Sequence, residues 1–294
     1  MERLYLGSCS WKYPSWAGLV YSGPSPADFL AEYASKYDSV EIDQWFWSLF
    51  KGKPPVLPRR ELAASYASSV PEHFRFTVKC PNALTLTETH VQGGRAGSPN
   101  PDFLDPGLFG RFLEAIEPIL PKVGLFIFQF EYFNARKMPE RAALLDRLGP
   151  FLEALPRGLP YGVELRNPRW LDPAWFSFLE ERRAAPVFLQ GYWMDDVAAL
   201  YARIFGPRGP LGRAVPKTVC LRLHGEDRQG IEAEAGEDWS RILRDRDEEL
   251  PPLMAVVRDL LGRGSTVFIN VNNHYEGSAP ITIDKINRLL TAGP

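Results

Sequence analysis

Val219-Cys220-Leu221-Arg222-Leu223-His224 alternates apolar and polar side chains and ends on groups that carry charge or move protons. A strand places successive side chains on opposite faces. Leu221 and Leu223 therefore share one face, and Arg222 and His224 share the other. The same split recurs along the chain. Val40-Glu41-Ile42-Asp43 pairs Glu41 with Asp43, Val163-Glu164-Leu165-Arg166 pairs Glu164 with Arg166, and Asn270-Val271-Asn272 pairs the two asparagines. A strand that is apolar on one face and charged on the other, repeated at intervals, predicts a sheet that wraps around a polar interior.

Outward from these stretches, eight β-rich runs are predicted as strands: Leu4–Cys9, Ser39–Asp43, Phe74–Cys80, Val123–Phe130, Tyr161–Arg166, Pro186–Gln190, Val219–His224 and Thr266–Asn272. Their starts lie about 37 residues apart on average, the length of one β-loop-α-loop unit. Helix-like stretches fill the gaps. The first has Ser25 as N-cap and Pro26 at its first position, with Phe29, Leu30, Tyr33, Ala34 and Tyr37 on one face. Others are predicted near Arg59–Ser68, Pro106–Leu120, Pro139–Leu155, Pro173–Arg183, Asp195–Phe205, Trp239–Leu261 and Ile281–Leu290. Pro251-Pro252 should break or kink the seventh. Eight β-α pairs predict a single α/β domain over residues 1–294, a (β/α)8 barrel of TIM type. The rival, a doubly wound open sheet, usually carries a Gly-rich phosphate turn after its first strand. Gly7-Ser8-Cys9-Ser10-Trp11 does not match that turn.

Seven of the eight predicted strands finish in polar or charged groups, with Lys79, Gln129 and Gln190 closing the third, fourth and sixth. This fold places active sites at the carboxyl ends of its strands. Three acids, Glu41, Asp43 and Glu164, stand against three bases, Lys79, Arg166 and Arg222. Buried charges persist only when paired and hydrogen-bonded. A salt-bridge plug that sets strand register is the plain reading of this set. His224, Gln129, Asn270 and Asn272 at the same end favour a functional pocket instead. Trp11, Trp45, Trp47, Trp170 and Trp193 follow strands at that end; flat rings beside hydrogen-bonding groups suit a sugar or a nucleobase. Most of these rings are expected to pack loops onto the barrel. Cys9 and Cys80 lie near strand ends at the pocket and read as small buried hydrophobes rather than nucleophiles, His73 as an exposed loop residue, and Arg241–Glu249 as the solvated face of the seventh helix.

Charge and composition narrow the function. The chain has 34 basic and 36 acidic residues, and a net charge of −2 gives no basis for extended nucleic-acid binding. No run of about 18 apolar residues predicts a membrane span. Three cysteines far apart, with no Cys-x-x-Cys, argue against a disulfide framework and a thiolate zinc site. The expectation is a reduced, cytoplasmic protein.

The motifs together resemble a known family, the YecE-like barrels of domain of unknown function 72. The resemblance begins with Gly7-Ser8-Cys9-Ser10-Trp11 and continues through Trp16, Gly18, Val40-Glu41-Ile42 and Phe74-Arg75-Phe76-Thr77-Val78-Lys79 with a later His90. It runs on through Gly124 to Gln129, Val163-Glu164-Leu165-Arg166, Leu221-Arg222-Leu223-His224-Gly225 and Asn272-Asn273-His274, and closes with Gly277 and Ala279. It implies a TIM-type barrel with a pocket at the carboxyl face, and no reaction, because the family has no settled activity. It carries Lys79, His90, Gln129, Glu164, Arg166, Arg222, His224 and Asn272 over as pocket residues. Two stretches depart from the family pattern: Asp43-Gln44-Trp45-Phe46-Trp47 after the second strand, and Gln190-Gly191, where an Asp is usual near the end of the sixth. Both touch the expected pocket wall and point to an altered substrate preference or reduced activity.

The residues support an acid-base enzyme for a small anionic or sugar-like substrate. His224 is the natural proton shuttle near neutral pH, with Glu164 or Glu41 as its partner or second acid-base group. Lys79, Arg166 and Arg222 suit a carboxylate or phosphate. Gln129, His90, Asn270, Asn272, Trp11 and Asp43 complete the expected substrate contacts. Glu41 and Glu164 salt-bridged to Arg222 and Arg166 would be poor general acids, since nearby cations favour the ionised carboxylate. No cofactor is expected. A divalent metal is the first alternative, as in a metal-dependent isomerase or phosphodiesterase, with Glu41, Asp43, Glu164, His224, His90 and His274 as ligand candidates; three cations in the same pocket oppose it. The second alternative is a non-catalytic binder of a nucleotide or single-stranded nucleic acid.

Overall fold

A computed structural model describes residues 3–89, 97–212 and 214–292. His90 lies outside the described residues. The strands are β1 (Arg3–Ser8), β2 (Ser39–Ile42), β3 (Arg75–Lys79), β4 (Val123–Gln129), β5 (Tyr161–Glu164), β6 (Ala185–Gly191), β7 (Thr218–Gly225) and β8 (Thr266–Val271). Each lies within two residues of the run expected for it. They close in sequence order into an eight-stranded parallel barrel, with helices between them. The expected (β/α)8 class is therefore the observed one. The helices are α1 (Phe29–Ala34), α2 (Arg60–Ser69), α3 (Pro106–Ala115), α4 (Arg141–Ala154), α5 (Pro173–Glu181), α6 (Val197–Phe205), α7 (Arg228–Ala235), α8 (Leu250–Gly262), α9 (Asn273–Glu276) and α10 (Ala279–Thr291). Among the described residues no helix is long and apolar enough to cross a membrane.

The chain divides into two compact units, one of residues 1–41, 69–75 and 185–294, the other of residues 42–68 and 76–184. In the first unit β1, β7 and β8 run in continuous register, with Tyr5 opposite Phe268, Phe268 opposite Cys220 and Asn270 opposite Arg222. The Tyr5 and Phe268 rings stack at 4.8 Å. The Tyr33 hydroxyl of α1 accepts from the Ser8 backbone N–H and donates to the Ser39 carbonyl, which ties the helix to β1 and β2. In the second unit Phe126 and Phe128 of β4 project onto Phe109 of α3 at 5.6 and 5.4 Å, and Phe128 also meets Phe151 of α4. Period-two alternation then turns Ile127 and Gln129 to the opposite face. Strands covered by helices bury both faces, which explains why β4 reads as a nearly unbroken apolar run.

Four local expectations are corrected. The N-cap of α1 is Asp28, not Ser25: the helix begins at Phe29, and the Asp28 carboxylate accepts from the free N–H groups of Leu30 and Ala31 in its first turn. The helix expected through Leu120 ends at Ala115 and continues as a 3-10 turn over Glu117–Lys122, which contains Pro121. Pro251 and Pro252 do not break a helix but begin one. They occupy the opening positions of α8, where a missing N–H costs nothing. Consequently Arg241–Glu249 is not a helix face. It is a loop seated on Glu276, whose carbonyl accepts from the N–H groups of Leu243 and Arg244 and whose carboxylate accepts from that of Arg246.

Candidate functional site

Two of the expected site residues meet across the barrel interior of the first unit. Arg222 Nε donates to Glu41 Oε2 at 2.7 Å and its Nη2 donates to Oε1 at 2.6 Å, a two-pronged pairing. Asn270 Nδ2 adds a third bond to Oε2 at 3.0 Å. Glu41 is 0% exposed and Arg222 1%, so both charges have left water. A planar guanidinium matches a carboxylate edge to edge, and that geometry compensates for part of the desolvation. Both groups are thereby committed to each other.

Above this pair stands His224, 6% exposed and one strand alternation beyond Arg222. Its Nε2 lies 3.7 Å from Cys9 Sγ, and its Nδ1 lies 3.3 Å from the Tyr192 hydroxyl. The thiol is also 3.5 Å from the Asn270 carbonyl. The backbone around Tyr192 is unusual. Tyr192 has φ +53°, and the preceding Gly191 has φ +124°. A Cβ on Gly191 would fall 2.2 Å from the Gly225 carbonyl oxygen, the same atom that accepts the Tyr192 N–H at 2.7 Å. Only glycine allows β6 to approach β7 this closely, and that approach carries Tyr192 over His224. Strained backbone at a polar strand end is a common mark of a functional site.

The second unit holds its own polar strand ends. Arg166 Nε donates to Glu164 Oε1 at 2.7 Å; Glu164 is 0% exposed and stands opposite Gln129 in the β4–β5 register. Lys79, 9% exposed, places its ammonium 3.9 Å from the centre of the Phe46 ring. Asp43 follows β2 directly and is half-buried. The loop after β2 is anchored by Asn82, whose Oδ1 accepts from the N–H groups of Ser48 and Leu49 and from the Ser48 hydroxyl. From that base Trp47, Phe50 and Val56 project into solvent.

Other expected residues have clear local roles. Asn272 caps α9, its Oδ1 accepting from the His274 N–H at 2.9 Å. Trp11 is buried, with its carbonyl accepting from the Tyr21 hydroxyl. Trp45 is buried too, whereas Trp193 is 54% exposed and Trp47 64%. Gln190 joins the α6 N-terminus to the loop before α8: its Oε1 accepts from Val197 N–H and its Nε2 donates to Asp196 and Glu249. His73 is exposed and pairs with Asp38. His274 bonds Glu232 through Nε2 at 3.1 Å; burial draws its pKa below the ordinary histidine value, with Glu232 acting in the opposite direction. Among the described residues one group of carboxylates stands close enough together to hold a metal ion. Asp245, Asp247 and Glu276 bring carboxylate oxygens within 4.8 Å of one another. Lys285 already bridges two of them, at 2.6 Å from Asp247 and 2.8 Å from Glu276. Burial works against its charge, but those two carboxylates hold its pKa above the ordinary value. An ammonium thus occupies the position a cation would take, and these residues fit a metal poorly.

The family model "Protein of unknown function DUF72" matches residues 5–294. The chain belongs to the DUF72 family. Crystal structures of DUF72 proteins share the fold along the whole chain. One from Enterococcus faecalis V583 aligns with a TM-score of 0.67 at 20% identity, covering 99% of this chain and 96% of that one. Another, from Thermotoga maritima MSB8, aligns with a TM-score of 0.65 at 22% identity, covering 98% and 99%. The UPF0759 protein YecE of Escherichia coli K12 is 27% identical over 168 residues, 57% of this chain and 50% of YecE, so the match spans about half of that relative.

In this DUF72 chain the alternation of β2, β5, β7 and β8 placed Glu41, Glu164, Arg166, Arg222, His224 and Asn270 in the sequence reading. It missed Cys9 and Tyr192 as neighbours of His224. The sequence places Cys9 near a strand end at the pocket and favours a small buried hydrophobe there over a nucleophile. The signal for Tyr192 was the Gly191 before it, which marks a close backbone approach.

Proposed function

We propose that this DUF72 protein is an acid-base enzyme acting on a small anionic or sugar-like substrate at the carboxyl ends of its strands, with His224 carrying the proton. The observation behind this is the setting of His224. It is buried, and its two ring nitrogens face the Cys9 thiol and the Tyr192 phenol. Both neighbours exchange protons, and an imidazole between them can accept on one side while donating on the other. Glu41, Arg222 and Asn270 form the rigid floor beneath it, so that floor positions His224 rather than reacting. Within the second unit Glu164 orients Arg166.

A thermal-shift panel of sugar phosphates, sugar acids, small carboxylates and short oligonucleotides tests this reading. A small anion should raise the melting temperature of the parent protein. His224→Gln should fold and lose that rise. A hit that stabilises His224→Gln as strongly as the parent overturns the role of His224. Stabilisation by oligonucleotides alone overturns the small-substrate reading.

A further inference from the structure

We propose that the loop between β2 and α2 docks this protein on an anionic phospholipid surface, with Trp47, Phe50 and Val56 entering the interface and Lys51, Lys53 and Arg59 meeting the headgroups. The inference uses no residue of the acid-base reading, so either stands without the other. Five large hydrophobic side chains are exposed among the described residues, and three of them belong to this loop: Trp47 at 64%, Phe50 at 47% and Val56 at 54%. A single exposed hydrophobe needs no explanation. Three within ten residues of one loop mark an interaction site.

The loop is built to hold these side chains out. Val56 N–H donates to the Ser48 carbonyl at 2.9 Å and closes the segment at its base. Lys53 N–H donates to the Phe50 carbonyl at 3.1 Å across the tip, where Gly52 turns the chain at φ +71°. Ser48 and Leu49 are buried and give their N–H groups to Asn82. The exposed residues are thus carried on an ordered tip, and little conformational entropy is lost when they dock.

Charge selects the partner. Residues 44–60 carry Lys51, Lys53, Arg59 and Arg60 and no acid, in a chain whose net charge is −2. Arg60 pairs with Glu117. Lys51, Lys53 and Arg59 are exposed and make no ion pair among the described residues. Insertion of a few apolar groups or attraction by a few cations is weak alone; the two together hold a protein on an anionic bilayer. Tryptophan in particular favours the headgroup level. A protein partner fits less well, because lysine is depleted in protein interfaces. A nucleic-acid strand is tracked by a basic groove with stacking rings, whereas Pro54, Pro55 and Val56 offer aliphatic surface on a projecting loop.

Co-sedimentation with vesicles of phosphatidylcholine carrying about 40% phosphatidylserine, at about 0.1 M salt, tests this. The parent protein should pellet with these vesicles and stay in solution with phosphatidylcholine alone. It should leave the pellet as salt rises to about 1 M, where charges are screened beyond about 3 Å. Trp47→Ser and Phe50→Ser should each lower the partition coefficient by about tenfold, and Lys51→Gln/Lys53→Gln by about fivefold per charge. These side chains are exposed, so the variants should melt as the parent does. With brominated acyl chains in the bilayer, Trp47→Phe should still bind but lose part of the tryptophan quenching. No pelleting with anionic vesicles overturns the proposal, as does equal pelleting with neutral ones or a partition unchanged in the aromatic and lysine variants. Unchanged quenching in Trp47→Phe overturns insertion of this loop. A dimer in light scattering that Trp47→Ser dissociates assigns the patch to a second copy and overturns the lipid reading. So does a short oligonucleotide bound through the same lysines while vesicles are not.

Discussion

Replacing Arg222 by Met should destabilise the protein far more than replacing an exposed arginine, and the loss should depend on Glu41. The guanidinium donates two of the three hydrogen bonds described above to a carboxylate that is 0% exposed. Removing it leaves a buried charge facing Asn270 Nδ2. Breaking a buried pair from one side costs about 3–5 kcal/mol, most of it the desolvation of the charge left behind. For a chain of 294 residues the unfolding entropy is about 0.6 kcal/mol per degree, so that cost lowers the melting temperature by about 5–8 °C. Glu41→Gln should cost a similar amount, because it strands the guanidinium. The double variant Glu41→Gln/Arg222→Met strands neither charge, and its loss should fall short of the sum of the singles by about 2 kcal/mol or more. Urea unfolding followed by circular dichroism measures all four proteins. Additivity within about 0.5 kcal/mol would mean that the two side chains do not act as a unit, and it would refute the pairing as the floor of the site.

Three further outcomes are expected. Asn82→Ala removes the acceptor for two backbone N–H groups and a hydroxyl at the base of the β2–α2 loop; trypsin should then cut after Lys51 faster, and an unchanged rate would show that the loop is held by something else. Gly191→Ala places a Cβ 2.2 Å from the Gly225 carbonyl at a positive φ, which should cost about 2–4 kcal/mol and displace Tyr192; a melting temperature equal to the parent's would contradict the close approach. Burial opposes ionisation of Asp172, but its bonds to Arg141 and to the Trp175 N–H hold its carboxyl below the usual range. A carboxyl depressed in the folded state adds stability that is complete above its unfolded value of about 4 and is lost as pH falls through the folded value. The acid-side fall in melting temperature should therefore be shallower in Asp172→Asn, and an identical slope would exclude Asp172 as a contributor.

Most of the fold was legible because its signals are local. Alternation at a period of two marked β2, β5, β7 and β8, and regular spacing gave the number of strands. Helix ends were less legible, since they turn on which of several polar side chains captures the free N–H groups. Asp28 outcompeted Ser25, and Pro251-Pro252 began α8 rather than ending an earlier helix. The polar strand ends could be named from parity; the pairs Glu41–Arg222 and Glu164–Arg166 could be named only as a condition, because parity carries no distance.

The sequence by itself determined the barrel class, the strands and the face on which Glu41, Glu164, Arg222, His224 and Asn270 lie. Side-chain alternation is a property of the backbone over a few residues, and it is written wherever the strand is written. Only the tertiary structure decided that Arg222 engages Glu41 181 positions away, and that Cys9 meets His224 across 215. Those meetings depend on barrel closure, on strand register and on the glycine contact that brings Tyr192 over the imidazole. None of these leaves a periodic trace in the chain. The physical reason is that period sets direction, while closure sets distance.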